Sequence, residues 1–467
     1  MKRDTLENAL FEISDSHIAE AAQPKKKRKF YWLGAAAAIL ALVLVLNLLP
    51  KPNSAPHSDP PLVVHAHAVS ESEGSRGLTR DEDFDGWAVQ RVEREKILNS
   101  AKDDLFRFYL ESTQSILADT NGSNRVYSPA NLYVALAMAA ELCNGSTRQQ
   151  MLDALGTTDL QSLRSQVGAM WESLYTEEEY EKLVLANSLW LDDTVRYDQQ
   201  VMNDLSYHHY ASIYQYDLQS DDAGHAIRTW INENTGNLLQ DYVEKVQMDL
   251  NTVFALYSTI YFQSKWSSEF NSNLNTNGPF HGDGSSLSVT YMNQPNNPMH
   301  YYWGEDFGAV QLGLRNGSSM WFILPDEGKS VDDLVAQGQY LELVTDSFPE
   351  ENWTNSKHLL VNLSVPKFDI SSQTSLEDDL KKLGITDAFD PMKASFPAVG
   401  GGSLSNVSQA ARVAIDENGV VAAAYTELLC GAGMPPEETI DFKLDRPFLF
   451  VIEKEEIPLF IGVVNAP

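Results

Sequence analysis

Asp416-Glu417-Asn418-Gly419 leads into Val420-Val421-Ala422-Ala423-Ala424-Tyr425-Thr426. What these residue types permit is insertion as a strand, not catalysis. In extended backbone successive side chains alternate between faces. One face of this run carries Val420, Ala422, Ala424, Thr426 and Leu428, all small or apolar. The other carries Val421, Ala423, Tyr425 and Glu427, which water tolerates. Such a segment can slide between the strands of an existing sheet, because nothing bulky or charged meets the core. Beyond it, Leu429 to Met434 contains Gly431-Ala432-Gly433 and no basic side chain.

Catalytic constellations are missing from the rest of the sequence. No segment reads G-x-S-x-G, H-E-x-x-H or paired C-x-x-C. Gly328-Lys329-Ser330 imitates the end of a phosphate loop, but Ile323 stands where its first glycine should be. His208 and His209 are adjacent, so one helix or strand cannot aim both at one site. Asp81-Glu82-Asp83-Phe84-Asp85-Gly86 begins like a calcium loop, but Val92 occupies the position of the closing bidentate acid. His65 and His67 have no nearby carboxylate or thiol partner and read as solvated. The chain is therefore expected to be no enzyme and to need neither cofactor nor metal.

Several ordered motifs give the chain a family resemblance. They are Asn124-Arg125-Val126-Tyr127-Ser128-Pro129, Leu185-Ala186-Asn187-Ser188-Leu189-Trp190 and Leu256-Tyr257-Ser258-Thr259-Ile260-Tyr261-Phe262-Gln263-Ser264-Lys265-Trp266. Phe322-Ile323-Leu324-Pro325, Val365-Pro366-Lys367-Phe368, Leu383-Gly384-Ile385-Thr386-Asp387-Ala388-Phe389 and the C-terminal Pro447-Phe448-Leu449-Phe450 follow in the same order. Together they resemble the serpins over roughly residues 95 to 467. The resemblance implies an α+β fold: a large, mostly antiparallel central sheet, two smaller sheets, about eight or nine helices and an exposed reactive-centre loop at about 417–440. Helical segments are expected near 97–118, 129–142 and 222–240.

The same resemblance implies a suicide-substrate inhibitor of serine proteases. The protease cuts the loop and is trapped as its acyl-enzyme while the freed strand inserts into the central sheet. Glu417, Gly419, Val420, Ala422, Ala423, Ala424 and Thr426 would form the hinge. A strand of about fifteen residues counted from Gly419 spans roughly 50 Å and ends at Gly433. The expected reactive bond is therefore Gly433-Met434, and alignment on Pro435-Pro436 gives Ala432-Gly433 instead. A small residue at the cut suits elastase- or subtilisin-like proteases. Asn131, Ser258 and Gln409 fall where the family has a polar cluster beneath the sheet, and Trp266 falls at the top of the sheet, where insertion begins or where it is plain core. Asn418, Val421 and Tyr425 depart from the family hinge, and Tyr425 is expected to slow insertion. A non-inhibitory binding protein and a cross-class inhibitor of papain-like cysteine proteases are the alternatives.

The elements around this loop divide the chain further. Leu33 to Leu49 is apolar except for Asn47, follows Lys25-Lys26-Lys27-Arg28-Lys29, and is long enough to cross a bilayer. Residues 1–30 are expected to form a cytoplasmic tail, 31–49 a single-pass anchor, 50–94 a proline-, serine- and acid-rich linker and 95–467 the folded domain outside the cell. A cleaved signal peptide is the competing reading of the apolar run. The tail-anchor-linker layout and the lack of a disulfide set point to a bacterial cell membrane. Lys and Arg number 34 against 65 Asp and Glu, a net charge of −31 that excludes nucleic acid as a partner. A monomer is expected, with a target protease and the membrane as its partners. Cys143 and Cys430 read as free thiols, the first buried and the second in the loop.

Overall fold

The computed structural model describes Leu62–His65 and residues 84–467, apart from 178–181, 245–251, 283–284, 316, 347, 405–406, 421–435 and 437. From the amino end come strand β1 (Leu62–His65), helices α1 (Phe84–Ser100) and α2 (Lys102–Ile116), strand β2 (Arg125–Tyr127), and helices α3 (Pro129–Leu142), α4 (Gly145–Ala154) and α5 (Leu160–Leu174). Strands β3 (Thr176–Glu177) and β4 (Lys182–Asp192), helix α6 (Gln199–His209), strand β5 (Ala211–Tyr216), helices α7 (Asp221–Asn234) and α8 (Gln240–Val243), and strand β6 (Phe254–Lys265) follow. Next are β7 (Thr276–Gly282), β8 (Ser285–Trp303), β9 (Phe307–Gly313) and β10 (Ser319–Pro325), then helices α9 (Val331–Gln337), α10 (Gln339–Val344) and α11 (Pro349–Asn352). The carboxyl end adds β11 (Ser356–Pro366), β12 (Phe368–Ser375), α12 (Glu377–Lys382), β13 (Ser408–Ile415), β14 (Gly419–Val420), β15 (Thr439–Lys443), β16 (Phe448–Lys454) and β17 (Ile457–Val464).

The central sheet runs β1-β5-β4-β6-β14-β13-β12, with β3 paired to β4. Its pairings are antiparallel except for β4 with β5. The two smaller sheets expected from the resemblance are continuous here. The 19-residue β8 reaches both and joins them in the order β15-β11-β8-β9-β10-β16-β17-β2.

Alternation along β6 explains how the central sheet is covered on both faces. Phe254, Leu256, Ile260 and Phe262 join the main core, which contains α3 and the β16-β17 hairpin. Ala255 and Tyr257 turn to the opposite face, where α7 lies. That helix is amphipathic at helical spacing: Ala223, Ile227, Trp230 and Ile231 bury against Ala186 and Trp190 of β4. Trp190 stacks on Tyr214 with ring centres 4.4 Å apart.

Helix boundaries differ from expectation at two places. The helix expected at 97–118 is two helices that meet at Ala101, and α1 begins at Phe84, inside the segment expected as linker. Within that segment Leu62–His65 also pairs with β5 at the sheet edge. The helix expected at 222–240 stops at Asn234, because Gly236 and Asn237 adopt left-handed backbone, φ 57° and 62°. A Cβ on Gly236 would stand 2.8 Å from the Tyr261 ring, so that turn admits little but glycine. The expected 129–142 helix is α3, started by Ser128, whose side chain accepts from the Asn131 N–H, and by Pro129 in its first turn. Cys143 is a buried free thiol, and burial pushes its pKa up to about 12. Among the described residues no helix is long and apolar enough to cross a membrane. The apolar run Leu33 to Leu49, Cys430 and the calcium-like acids Asp81, Glu82 and Asp83 lie outside those residues.

An ionic knot ties α3, α5 and α6 together. Glu141 accepts two hydrogen bonds from Arg164, at 2.7 and 2.8 Å, and pairs with His209 Nε2 at 3.0 Å. Arg164 also reaches Asp204 at 2.6 Å. Burial alone would raise the Glu141 pKa, but the hydrogen bonds and charges of Arg164 and His209 outweigh it and hold it at about 2. A depressed carboxyl stabilises the fold above its unfolded pKa. This contribution is therefore complete above about pH 4.5 and is lost as pH falls toward 2. Arg164→Met leaves the carboxylate buried and partly unpaired, and is expected to cost about 3 kcal/mol at pH 7 in urea denaturation. The deficit should shrink at pH 3; an equal deficit at both pH values would contradict the assignment.

Candidate functional site

Residues 416–420 form a turn and a two-residue strand between β6 and β13. Asp416 shapes the turn: its carboxylate accepts from the N–H of Asn418 at 2.8 Å and of Gly419 at 3.3 Å, while its own N–H donates to Gly419 O at 3.0 Å. Gly419 pairs with Lys265, and Val420 pairs with Ser264 on one side and Ile415 on the other. Approach to β6 is so close that a Cβ on Gly419 would lie 2.3 Å from Ser264 O and 2.6 Å from Lys265 Cα. Glycine is thus the residue this position accepts. Val420 is 2% exposed and joins the main core, the face assigned to it by alternation. Ala422, Ala423, Ala424, Thr426, Ala432, Gly433 and Met434 lie outside the described residues.

Trp266 grips this turn from the residue that follows β6. Its indole N–H donates to Asp416 O at 2.8 Å and its backbone N–H donates to Asn418 O at 3.0 Å. The ring is 1% exposed and meets Phe270 edge-to-face. Trp266 thus belongs to the main core and contacts the 416–420 turn at once. Phe270 N–H donates to Glu417 O at 2.9 Å. The Glu417 carboxylate pairs with Lys367 Nζ at 2.5 Å and accepts from Asn275 Nδ2. Burial raises the pKa of Glu417, and the Lys367 and Asn275 contacts more than reverse it, leaving it lowered.

Below Val420 the sheet changes character. Among the described residues no ladder joins β6 directly to β13; β14 alone stands between them. A cavity of about 430 Å³ lies there, between α3 on one side and the α7–α8 connection on the other. Leu132, Leu136, Phe254 and Leu256 line its apolar part, and Asn131, Ser258 and Gln409 its polar part. Gln409 fastens β13 to the start of α3: its amide oxygen accepts from Ser128 N–H at 2.8 Å and its NH₂ donates to Ser128 O at 3.0 Å and Asn131 Oδ1 at 3.3 Å. Asn131 and Gln409 are thus brought together. Ser258 borders the same cavity without a hydrogen bond to either, which differs from the three-residue network the sequence permits.

Four residues of this site had no role in the sequence reading. Asp416, Asn275 and Lys367 hold the 416–420 turn, and Ser372 of β12 accepts from Val126 N–H at 3.0 Å beside the Gln409 network. Lys367 sits in the Val365-Pro366-Lys367-Phe368 motif, so its position was visible; its partner 50 residues away was not.

The profile of the family described as Serpin (serine protease inhibitor) matches residues 105–467. The chain belongs to the serpin family. Plasminogen activator inhibitor 1 from Sus scrofa is 26% identical over 372 residues, which cover 77% of this chain and 91% of that protein. The native state of the thermophilic serpin tengpin superimposes with a TM-score of 0.68 at 26% identity, covering 78% of this chain and 93% of that one. Human thyroxine-binding globulin complexed with its ligand gives a TM-score of 0.68 at 22% identity over 79% and 99% of the two chains, a likeness of fold.

The close approach at Gly419 makes a direct prediction for this serpin. Gly419→Ala should push residues 418–420 off β6 and lower stability by about 1–3 kcal/mol. Hydrogen exchange at the Trp266 backbone N–H, whose acceptor is Asn418 O, should accelerate in the same variant. Unchanged exchange would contradict the described hinge geometry.

Proposed function

We propose that this serpin inhibits serine proteases as a suicide substrate. The supporting observation is the placement of Gly419 and Val420 at the head of the gap between β6 and β13. On this reading the serine of the protease attacks the carbonyl of Gly433 and releases the amine of Met434, leaving an acyl-enzyme. The cut strand then continues the path begun by β14, with Val420, Ala422, Ala424 and Thr426 toward the core and Glu417 and Gly419 as the fixed end. Insertion supplies hydrogen-bond partners along both β6 and β13 and buries small side chains, which drives the step. Asn131 and Gln409 would resist separation of β13 from α3, Ser258 would line the path, and Trp266 would hold the entry. Ala432-Gly433 is the alternative bond. The lack of basic residues from Leu429 to Met434 directs the proposal to elastase- or subtilisin-like enzymes.

Two further readings remain tied to outcomes. Thyroxine-binding globulin shares the fold, so a binding protein that inhibits nothing is the second function, and trapping of a papain-like cysteine protease is the third. The small, uncharged run from Gly419 to Ala424 favours the inhibitor. Mixing the chain with pancreatic elastase should yield a complex that survives SDS and a released peptide of 34 residues, Met434 to Pro467. Val420→Arg should abolish the complex and convert the chain to a plain substrate, because a charge would enter the core. Cleavage without a complex in the unaltered chain would sink inhibition of that enzyme, and a complex with papain alone would favour the third reading.

We also propose a single-pass anchor at residues 31–49 that holds the inhibitor at a bacterial cell surface, supported by the basic run Lys25 to Lys29 before the apolar one. On expression in bacteria the chain should resist alkaline extraction from membranes and be digested from outside in intact spheroplasts. A soluble product beginning after residue 49 would instead establish the cleaved signal.

A further inference from the structure

Far from the hinge, two histidines face one another across a strand pair. His300 of β8 and His358 of β11 are direct partners in the antiparallel register, so their side chains leave the same face of the sheet. Their ring centres are 5.1 Å apart and the planes are tilted by 56°. His358 is exposed, and Nδ1 of His300 is buried without a hydrogen-bond partner. Neither ring makes a hydrogen bond among the described residues that would commit its nitrogens elsewhere. Acidic side chains accompany the pair: Glu350 of α11 acts electrostatically on His300, and both Glu350 and Asp346 act on the neighbouring Tyr302.

The separation is one that a shared metal ion would give. With a metal–nitrogen bond of about 2.0–2.1 Å and roughly 1.1 Å from nitrogen to ring centre, two imidazoles on a tetrahedral ion place their centres about 5 Å apart. An aromatic pair held only by packing tolerates any separation from about 4.5 to 7 Å. Cross-strand partners also share a stiff scaffold, since the ladder between β8 and β11 holds both backbones. Among the described residues no group of three or more His, Cys, Asp or Glu could hold a metal, so protein would supply two ligands and water the rest. Two imidazoles suit Zn²⁺, Cu²⁺ or Ni²⁺ and not Mg²⁺ or Ca²⁺, which take oxygen ligands.

We propose that His300 and His358 form an open, two-histidine site for a divalent transition-metal ion. This site is independent of the inhibitory reading and of the loop. The N-terminal His65 and His67 are the competing source of imidazole, so the test must separate them. Untagged full-length chain in detergent, titrated calorimetrically with Zn²⁺, is expected to show a binding event that persists in the His65→Ala/His67→Ala double variant. His358→Ala and His300→Ala should each weaken that event at least about tenfold, because each removes one of the two bonds. Zn²⁺ should raise the melting temperature of the unaltered chain, and this rise should vanish in His358→Ala, whose metal-free melting temperature stays the same. Should His300→Ala fail to fold, His358→Ala and His358→Gln carry the test alone, since that side chain is exposed. Binding that survives loss of His358, or that disappears with His65 and His67, would overturn the proposal.

Discussion

Two strands in the middle of a sheet, β6 and β13, present edges to one another with only Gly419 and Val420 bridging them among the described residues. Unpaired backbone amides and carbonyls are costly wherever water is excluded. On the proposed inhibitory reading, a strand entering between these edges would satisfy both at once. Helix α7 covers one face of the sheet and α3 backs the other, so such a strand would meet a core on one side and a helix on the other. Its side chains would have to be small where they met α3, and Val420 would be the first of them.

The hinge depends on contacts of opposite character. Backbone pairing at Gly419 demands the absence of a side chain, while Glu417 and Trp266 each contribute a specific one. The Lys367–Glu417 pair is partly screened by water and weak by itself. With the Trp266 indole and the amide of Phe270 it places residues 416–420 by several modest interactions instead of one strong one. On the proposed reading that arrangement would suit a segment whose neighbours change conformation, since no single contact would have to be broken at great cost. The knot of Glu141, Arg164 and His209 is the contrasting case: buried, charged and placed among helices that frame the sheet.

Much of this was legible in the chain. Alternation in the run after Gly419 assigned Val420 to the core, and the capping signal Ser128-Pro129 marked the start of α3. The family resemblance placed Asn131 and Gln409 in one polar cluster, and their types permit the hydrogen bond they make. Other features were hidden because their partners lie far away in sequence. Asn275 and Lys367 meet Glu417 only once β6, β12 and the hinge are assembled. The break after Asn234 arises because Gly236 passes close over Tyr261 of β6, a tertiary contact that helical periodicity does not record. Likewise the merging of two smaller sheets follows because β8 runs on from its pairing with β7 to its pairing with β9, where local propensity shows only extended chain.

By itself the sequence carried the ordered motifs through which the chain resembles its family, with the α+β class that resemblance implies, the alternation after Gly419 and the poverty of catalytic constellations. Motif order, alternation and residue type survive whatever the rest of the chain does. Tertiary structure alone decided that Trp266 binds the 416–420 turn, that Ser258 stands apart from Asn131 and Gln409, and that His300 opposes His358. Each of these rests on strand register, and a slip of one residue would turn every side chain to the other face. Register is set by the packing of whole sheets, so no local pattern carries it.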